Sequence, residues 1–218
     1  MSSADKRVSL FLANLKEGGI QRVIVNLARR FTELNLKVDL VVDRAVGPFV
    51  DKVCAGIRIV DLKSPRLRKS VSLVANYLKE ENPVGIISNM HYNTEIAILA
   101  KSLYRLPTHV MAVEHNSLIP GIKPSIKMPL SFLGLTPVRP NNLVRYFYPW
   151  ADSIVCTSNG VAEDIAYLTG LPDERIRTIY NPVIIPDLTE KAQEKGEHPW
   201  FCSPEVPVVL GVGRLVDQ

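Results

Sequence analysis

Cysteine is scarce in this chain: Cys54, Cys156 and Cys202 lie far apart and are odd in number. No CxxC pair and no Cys/His ligand spacing occurs, which excludes a zinc module and a thioredoxin-like redox motif. Reduced thiols in a cytosolic protein are the simplest reading. Long apolar runs are missing too. Stretches such as Val8 to Ala13 and Val206 to Val212 fall far short of the ~20 residues that cross a bilayer. Lys6-Arg7 ahead of "VSLFLANL" imitates a secretory signal. Lys16-Glu17 interrupt it, however, and no small-x-small cleavage site follows, so the segment reads as a first strand. Both familiar phosphate loops are lacking. The dinucleotide fingerprint G-x-G-x-x-G is reduced to Gly18-Gly19, and no Gly-Lys-Ser/Thr follows. Acidic residues are absent from His115 to Ala151, while the whole chain carries a net charge of +4.

What is present is alternation. Val8 to Ala13, Lys37 to Val42, Ile57 to Leu62, Val84 to Ser88, His109 to Glu114, Ser153 to Thr157 and Arg177 to Tyr180 are short and apolar, as strands buried on both faces are. Between them lie helical spacings: Ile20 to Leu34, Leu67 to Leu78 and Ile96 to Leu103, with a short helix over Asn141 to Tyr148 and another over Ser158 to Thr169. Ser158 is placed to cap the last of these, with Glu163-Asp164 favouring its positive end. Pro83 stops the second helix. Strand-helix alternation predicts an α/β fold, a Rossmann-like parallel sheet with helices on both faces. From Pro182 the texture turns rich in proline and charge, as in a linker. "VPVVLGVGRL" then reads as a new first strand and glycine turn.

In open α/β sheets ligands bind beyond the carboxyl ends of the strands. Gly18-Gly19 lie at such a place, between the first strand and the first helix. Glycine lets a ligand approach the backbone, and the following helix offers unpaired N–H groups and a positive dipole end. A phosphate suits that site; a plain strand–helix turn explains it as well. Asp43 follows the second strand, where a ribose-binding acid would sit.

"EGGIQRVIVNLARRFTELNLKVDLVV", "VEHN" (Val113 to Asn116), "ADSIVCTSNGVAEDIAYLTGLPDERIRTIYNPV" and "VVLGVGRLVDQ" occur in this order. Together they resemble family-four-type retaining glycosyltransferases of the GT-B fold, in which two Rossmann-like domains face each other across a cleft. Gln21 stands where many members carry Glu. The resemblance implies transfer of a sugar from a nucleotide-diphosphate donor to a glycan or lipid-linked acceptor, with retention and without a metal or other cofactor. It implies that residues 1–182 form the acceptor-side domain, 183–205 a linker and 206–218 the first strand of a donor-side domain. By matching position, the Gly18 and Gly19 amides face the diphosphate, and His115 is the catalytic group at the donor sugar. Gly213 and Arg214 touch the diphosphate from the far side. The family's phosphate-binding lysine and its E-x7-E acids would follow Gln218. The expectation is therefore a cleft with one complete wall, little or no activity from this chain alone, and a C-terminal half as a partner.

His91, in "SNMHYN", ends another strand and lines the acceptor pocket or caps a loop. Asn159 approaches the cleft or simply opens its helix. His109 and His198 are read as uninvolved. The acid-free stretch carries Lys123, Lys127, Arg139 and Arg145 among aromatic and aliphatic residues, and "KSPRLRKS" adds Lys63, Arg66, Arg68 and Lys69. Such a surface suits an anionic membrane face; a solvated loop is the plainer alternative. No nucleic-acid-binding motif accompanies the charge. The placement expected is cytoplasmic, peripheral at the inner face of the membrane, in making cell-envelope polysaccharide. Three other readings differ in class: a non-catalytic subunit that pairs with a separately encoded donor domain, a nucleotide-sugar epimerase, and an NAD enzyme. The NAD enzyme is the weakest, given the incomplete glycine fingerprint.

Overall fold

The computed structural model describes residues 6–64, 67–119, 140–182, 186–194, 196, 198–202 and 207–212. The chain divides into two units, Met1–Pro182 and Val183–Gln218.

The first unit is built on seven strands: β1 (Arg7–Leu12), β2 (Lys37–Val42), β3 (Ile57–Asp61), β4 (Gly85–Asn89), β5 (His109–Glu114), β6 (Ser153–Cys156) and β7 (Ile176–Thr178). They pair in the order β3-β2-β1-β4-β5-β6-β7, and every pairing is parallel. The predicted doubly covered parallel sheet is therefore observed. Its helices are α1 (Gly19–Glu33), α2 (Leu67–Glu81), α3 (His91–Tyr104), α4 (Pro140–Phe147) and α5 (Asn159–Thr169).

Strand alternation sorts the core onto two faces. Leu10, Leu12, Val38, Leu40 and Val42 pack with Ile24, Val25 and Ala28 of α1. Phe11 and Val41 point the other way, toward Val74 and Leu78 of α2 and a cluster that continues through Ile96, Ala97, Val144 and Ile165.

The lower edge of the sheet carries a charged network. Asp39, buried in β2, accepts from Arg7 Nη1 at 2.7 Å, Arg58 Nη2 at 2.6 Å and the Tyr77 hydroxyl at 2.6 Å. Tyr77 also meets Ser9 Oγ at 2.7 Å. Burial beside this carboxylate raises the Tyr77 pKa above its ordinary value. The interior charge is thus fully partnered, the condition under which a buried carboxylate is tolerated.

Some expectations need correcting. Helix α3 begins at His91, well ahead of the apolar spacing that starts at Ile96, because its first turns bury polar rather than apolar side chains. Ser158 does cap α5, accepting from Val161 N at 3.3 Å. Glu163 and Asp164 lie beyond its first turn, which holds no acid, so their help to the dipole is small. In the second unit, the expected linker contains helix α6 (Pro186–Lys191) and a 3-10 turn (Pro199–Cys202). Residues 207–212 form no strand. A strand needs a neighbour to take up its backbone hydrogen bonds, and here Val209 is 96% exposed. Cys54 is exposed and Cys156 buried, both free.

Candidate functional site

The strand order reverses between β1 and β4. That switch point is where an open α/β sheet forms its ligand crevice, above the carboxyl ends of the strands. Two helices, α1 and α3, start there. Their N-caps, Gly18 and Met90, provide no side-chain capping bond, and neither first turn contains an acid. The leading N–H groups of both helices are therefore uncapped by side chains at the same mouth.

The loop that delivers Gly18 is held from below. Leu15 is fully buried. Its N–H donates to Val46 O at 3.0 Å and its carbonyl accepts from Phe49 N at 3.1 Å. Gly47 makes this clamp possible: its φ is +120°, and a Cβ there would lie 2.2 Å from the Leu15 carbonyl oxygen. The paired glycines above the clamp are exposed. Gly18 is extended, with φ 164°, so no left-handed conformation calls for glycine. A Cβ on it would meet the movable end of the Gln21 side chain at 2.4 Å, and one on Gly19 would meet nothing within 4 Å. Among the described residues, nothing in the packing requires Gly19.

On the β4 side, Met90 has φ 74° and ψ 146°, a conformation that costs a non-glycine residue of order 1–3 kcal/mol. Its N–H bonds Val113 O at 3.0 Å. Around this joint, buried side-chain atoms lack partners among the described residues: Ser88 Oγ, His91 Nδ1, both amide atoms of Asn93, Glu95 Oε1, Glu114 Oε2 and His115 Nδ1. Burial pushes the Glu95 and Glu114 pKa values up to about 7, and pulls His115 down to about 4. His91 is lowered for the same reason. The Tyr148 hydroxyl donates to Glu114 Oε1. His115 Nε2 lies 3.0 Å from Asn89 Oδ1. Across β2, Asp43 accepts from Ser70 Oγ at 3.1 Å, and burial raises its pKa; it is engaged inside the fold. Among the described residues, no group of three His, Cys, Asp or Glu is arranged to hold a metal ion.

The arrangement offers uncapped amides for an anion beside a neutral imidazole and buried acids for a polar, uncharged group. Comparison with known families identifies it. The profile of Glycosyltransferase Family 4 matches residues 17–185. The chain belongs to Glycosyltransferase Family 4. No curated protein sequence is similar enough to count as a relative. Solved structures share the fold. The lipopolysaccharide outer core galactosyltransferase WaaB, in its apo form, matches with TM-score 0.58 and 19% identity over 83% of this chain and 46% of WaaB. HepE of Anabaena, in complex with UDP and glucose, matches with TM-score 0.58 and 13% identity over 86% of this chain and 49% of HepE. A UDP-N-acetylglucosamine 2-epimerase from Rickettsia bellii gives TM-score 0.56 at 9% identity, over 87% of this chain and 49% of the epimerase. The chain spans about half the length of these solved structures.

Within this Glycosyltransferase Family 4 domain, Gly18, Gly19, His91 and His115 all lie at the β1/β4/β5 mouth. Asn159 is exposed at the start of α5, beside β6 and away from the switch point, in a shallow pocket with Glu163, Asp173 and Thr178. Gly213 and Arg214 lie outside the described residues, as do Lys123, Lys127 and Arg139. The residues not singled out in the sequence are Asn89, Met90, Glu95 and Glu114. A polar residue closing an otherwise apolar strand, as Asn89 closes "VGIISN" and Glu114 closes "HVMAVE", was the available signal.

Proposed function

We propose that this domain is the acceptor-side half of a retaining, metal-independent glycosyltransferase that moves a sugar from a nucleotide-diphosphate donor. Membership in Glycosyltransferase Family 4 supports sugar transfer as the class of reaction. The observation that carries the donor reading is Gly19. Among the described residues no atom lies where its side chain would go, yet the position is glycine, directly at a helix start that its N-cap residue leaves uncapped. A diphosphate close to that backbone accounts for both. The leaving group gains negative charge as the glycosidic bond breaks, and fixed N–H dipoles aimed at it lower the barrier. The fold shared with HepE, solved with UDP and glucose, and with the galactosyltransferase WaaB supports a nucleotide-sugar as the ligand.

His115 is the catalytic group in this reading, placed at the sugar, and His91 lines the acceptor side. The acceptor is a glycan or lipid-linked saccharide of the cell envelope. Exposed Arg145, Tyr146 and Trp150 on α4 and the turn after it support peripheral contact with an anionic inner membrane face. Among the described residues, no helix is long and apolar enough to cross a membrane. Full activity is proposed for this domain together with a facing donor-side domain that supplies groups in the position of Gly213 and Arg214, and slow or no turnover for the chain by itself.

The test is a fusion of this chain to the donor-side domain of a family member. It is assayed for UDP release from UDP-galactose, UDP-glucose and UDP-N-acetylglucosamine with a lipid-linked acceptor extract. Acceptor-dependent release with the anomeric configuration kept supports the proposal. Release of an epimerised sugar without acceptor would assign the chain to epimerase chemistry, and robust transfer by the unfused chain would remove the need for a second half.

A further inference from the structure

Asn89 ends β4 with its side chain fully buried. Its amide nitrogen lies 3.2 Å from the carbonyl oxygen of Phe11 in β1 and 3.3 Å from that of Ile87 in its own strand. Carbonyl oxygens only accept, so the NH2 end of the amide must face them, and Oδ1 is left pointing at His115 Nε2, 3.0 Å away. An amide oxygen cannot donate. The hydrogen between the two residues therefore belongs to the imidazole, which carries it on Nε2. The other ring nitrogen, Nδ1, is buried and has no hydrogen-bond partner among the described residues. Burial, which holds the His115 pKa at about 4, keeps the ring neutral near pH 7, so Nδ1 presents a bare lone pair.

We propose that Asn89 is a positioning residue that locks His115 as its Nε2–H tautomer and so makes Nδ1 a hydrogen-bond acceptor for a ligand hydroxyl. This rests on the glycosyltransferase reading above only for the identity of the ligand; the tautomer follows from the chain's own hydrogen bonds. The orientation divides the labour at the mouth. A lone pair repels phosphate oxygens and attracts hydroxyl hydrogens, so His115 addresses the sugar ring, while the uncapped amides of α1 address the diphosphate. The same lone pair faces favourably any positive charge that develops at the reacting carbon. Because Asn89 is itself tied to β1 through Phe11, the tautomer is set by the strands that flank the switch point.

The experiment is long-range 1H–15N NMR of the full chain labelled with 15N-histidine, at mildly alkaline pH, with His115→Gln used to assign the resonances. The unaltered chain is expected to show His115 protonated at Nε2 and bare at Nδ1. Asn89→Asp keeps an acceptor opposite Nε2 and is expected to keep that tautomer. Asn89→Leu removes the acceptor and is expected to give a ring that exchanges between tautomers. Should Asn89→Leu fail to fold, Asn89→Ala is read the same way. A ring protonated at Nδ1 in the unaltered chain, or an unchanged tautomer in a folded Leu or Ala variant, overturns the proposal. If Asn89 served only to tie β4 to β1, these variants would lower the melting temperature and leave the tautomer unmoved. Sugar transfer plays no part in this readout, so failure of the glycosyltransferase reading and failure of the positioning role are separate results.

Discussion

Tyr148 donates its phenolic hydrogen to Glu114, a fully buried carboxyl at the end of β5 whose second oxygen has no side-chain partner among the described residues. Burial raises the Glu114 pKa from 4.5 to about 7. The folded state therefore holds this proton more tightly than the unfolded chain does. The associated stability is complete below pH 4.5 and is lost as pH rises through about 7. Glu95 titrates in the same direction over the same range. Glu114→Gln cannot ionise, so its unfolding free energy is expected to fall less between those limits than that of the unaltered chain. Urea denaturation across that pH range measures this, and parallel profiles would contradict it.

Asp39 binds Arg7, Arg58 and Tyr77 together, and Glu81 pairs with both arginines as well. Removing one member of a buried ion pair costs roughly 3–5 kcal/mol. Arg58 is 46% exposed and Arg7 24%, and both keep Glu81 as a partner, so neither is left buried and uncompensated in the variant. Asp39→Ala is expected at the lower end, about 3 kcal/mol, read from the urea midpoint. A loss below ~1 kcal/mol would place this pair among ordinary surface bridges.

Gly19→Leu separates folding from ligand approach. With nothing within 4 Å of the added Cβ, the melting temperature is expected to stay within a degree or two, or to rise slightly, since leucine is a better helix former. Transfer by the fused enzyme is expected to drop by about 10²-fold or more, the scale of losing one aligned backbone donor. Undiminished transfer would mean that the diphosphate does not lie against this turn.

Vesicle co-sedimentation tests the membrane face. The chain is expected to bind vesicles rich in anionic lipid and to ignore neutral ones. Trp150→Ala and Arg145→Ala should each weaken binding, the latter by about 1 kcal/mol, the contribution of one basic residue near a charged surface. Equal, negligible binding to both vesicle types would rule the contact out.

The fold was legible because the strands are buried on both faces and therefore apolar throughout, while the helices keep a periodic apolar stripe. Lys37–Val42 and His109–Glu114 are found where the pattern puts them. The pattern loses its grip where burial and polarity coincide. Asn93 and Glu95 are buried in the first turns of α3, so a rule that equates buried with apolar starts that helix too late. His115 could be singled out from its position after a strand, whereas its dependence on Asn89 could not, because 26 residues separate them and only the β4–β5 pairing brings them together. The apolar run over 207–212 marks another limit of the pattern: composition signals the capacity to be a strand, and a neighbour is needed to realise it.

The two rims of the sheet are in opposite states. At the lower one, Asp39 is neutralised from three sides; at the upper one, Met90 is strained and six neighbouring side chains, Ser88, His91, Asn93, Glu95, Glu114 and His115, carry buried atoms with no partner among the described residues. The partnered charges and the recognition proposed above thus fall at different ends of the same strands. On the proposed reading, substitutions at the upper rim leave the Asp39 network untouched, so a domain of this design can change its ligand while keeping the charged anchor of its architecture.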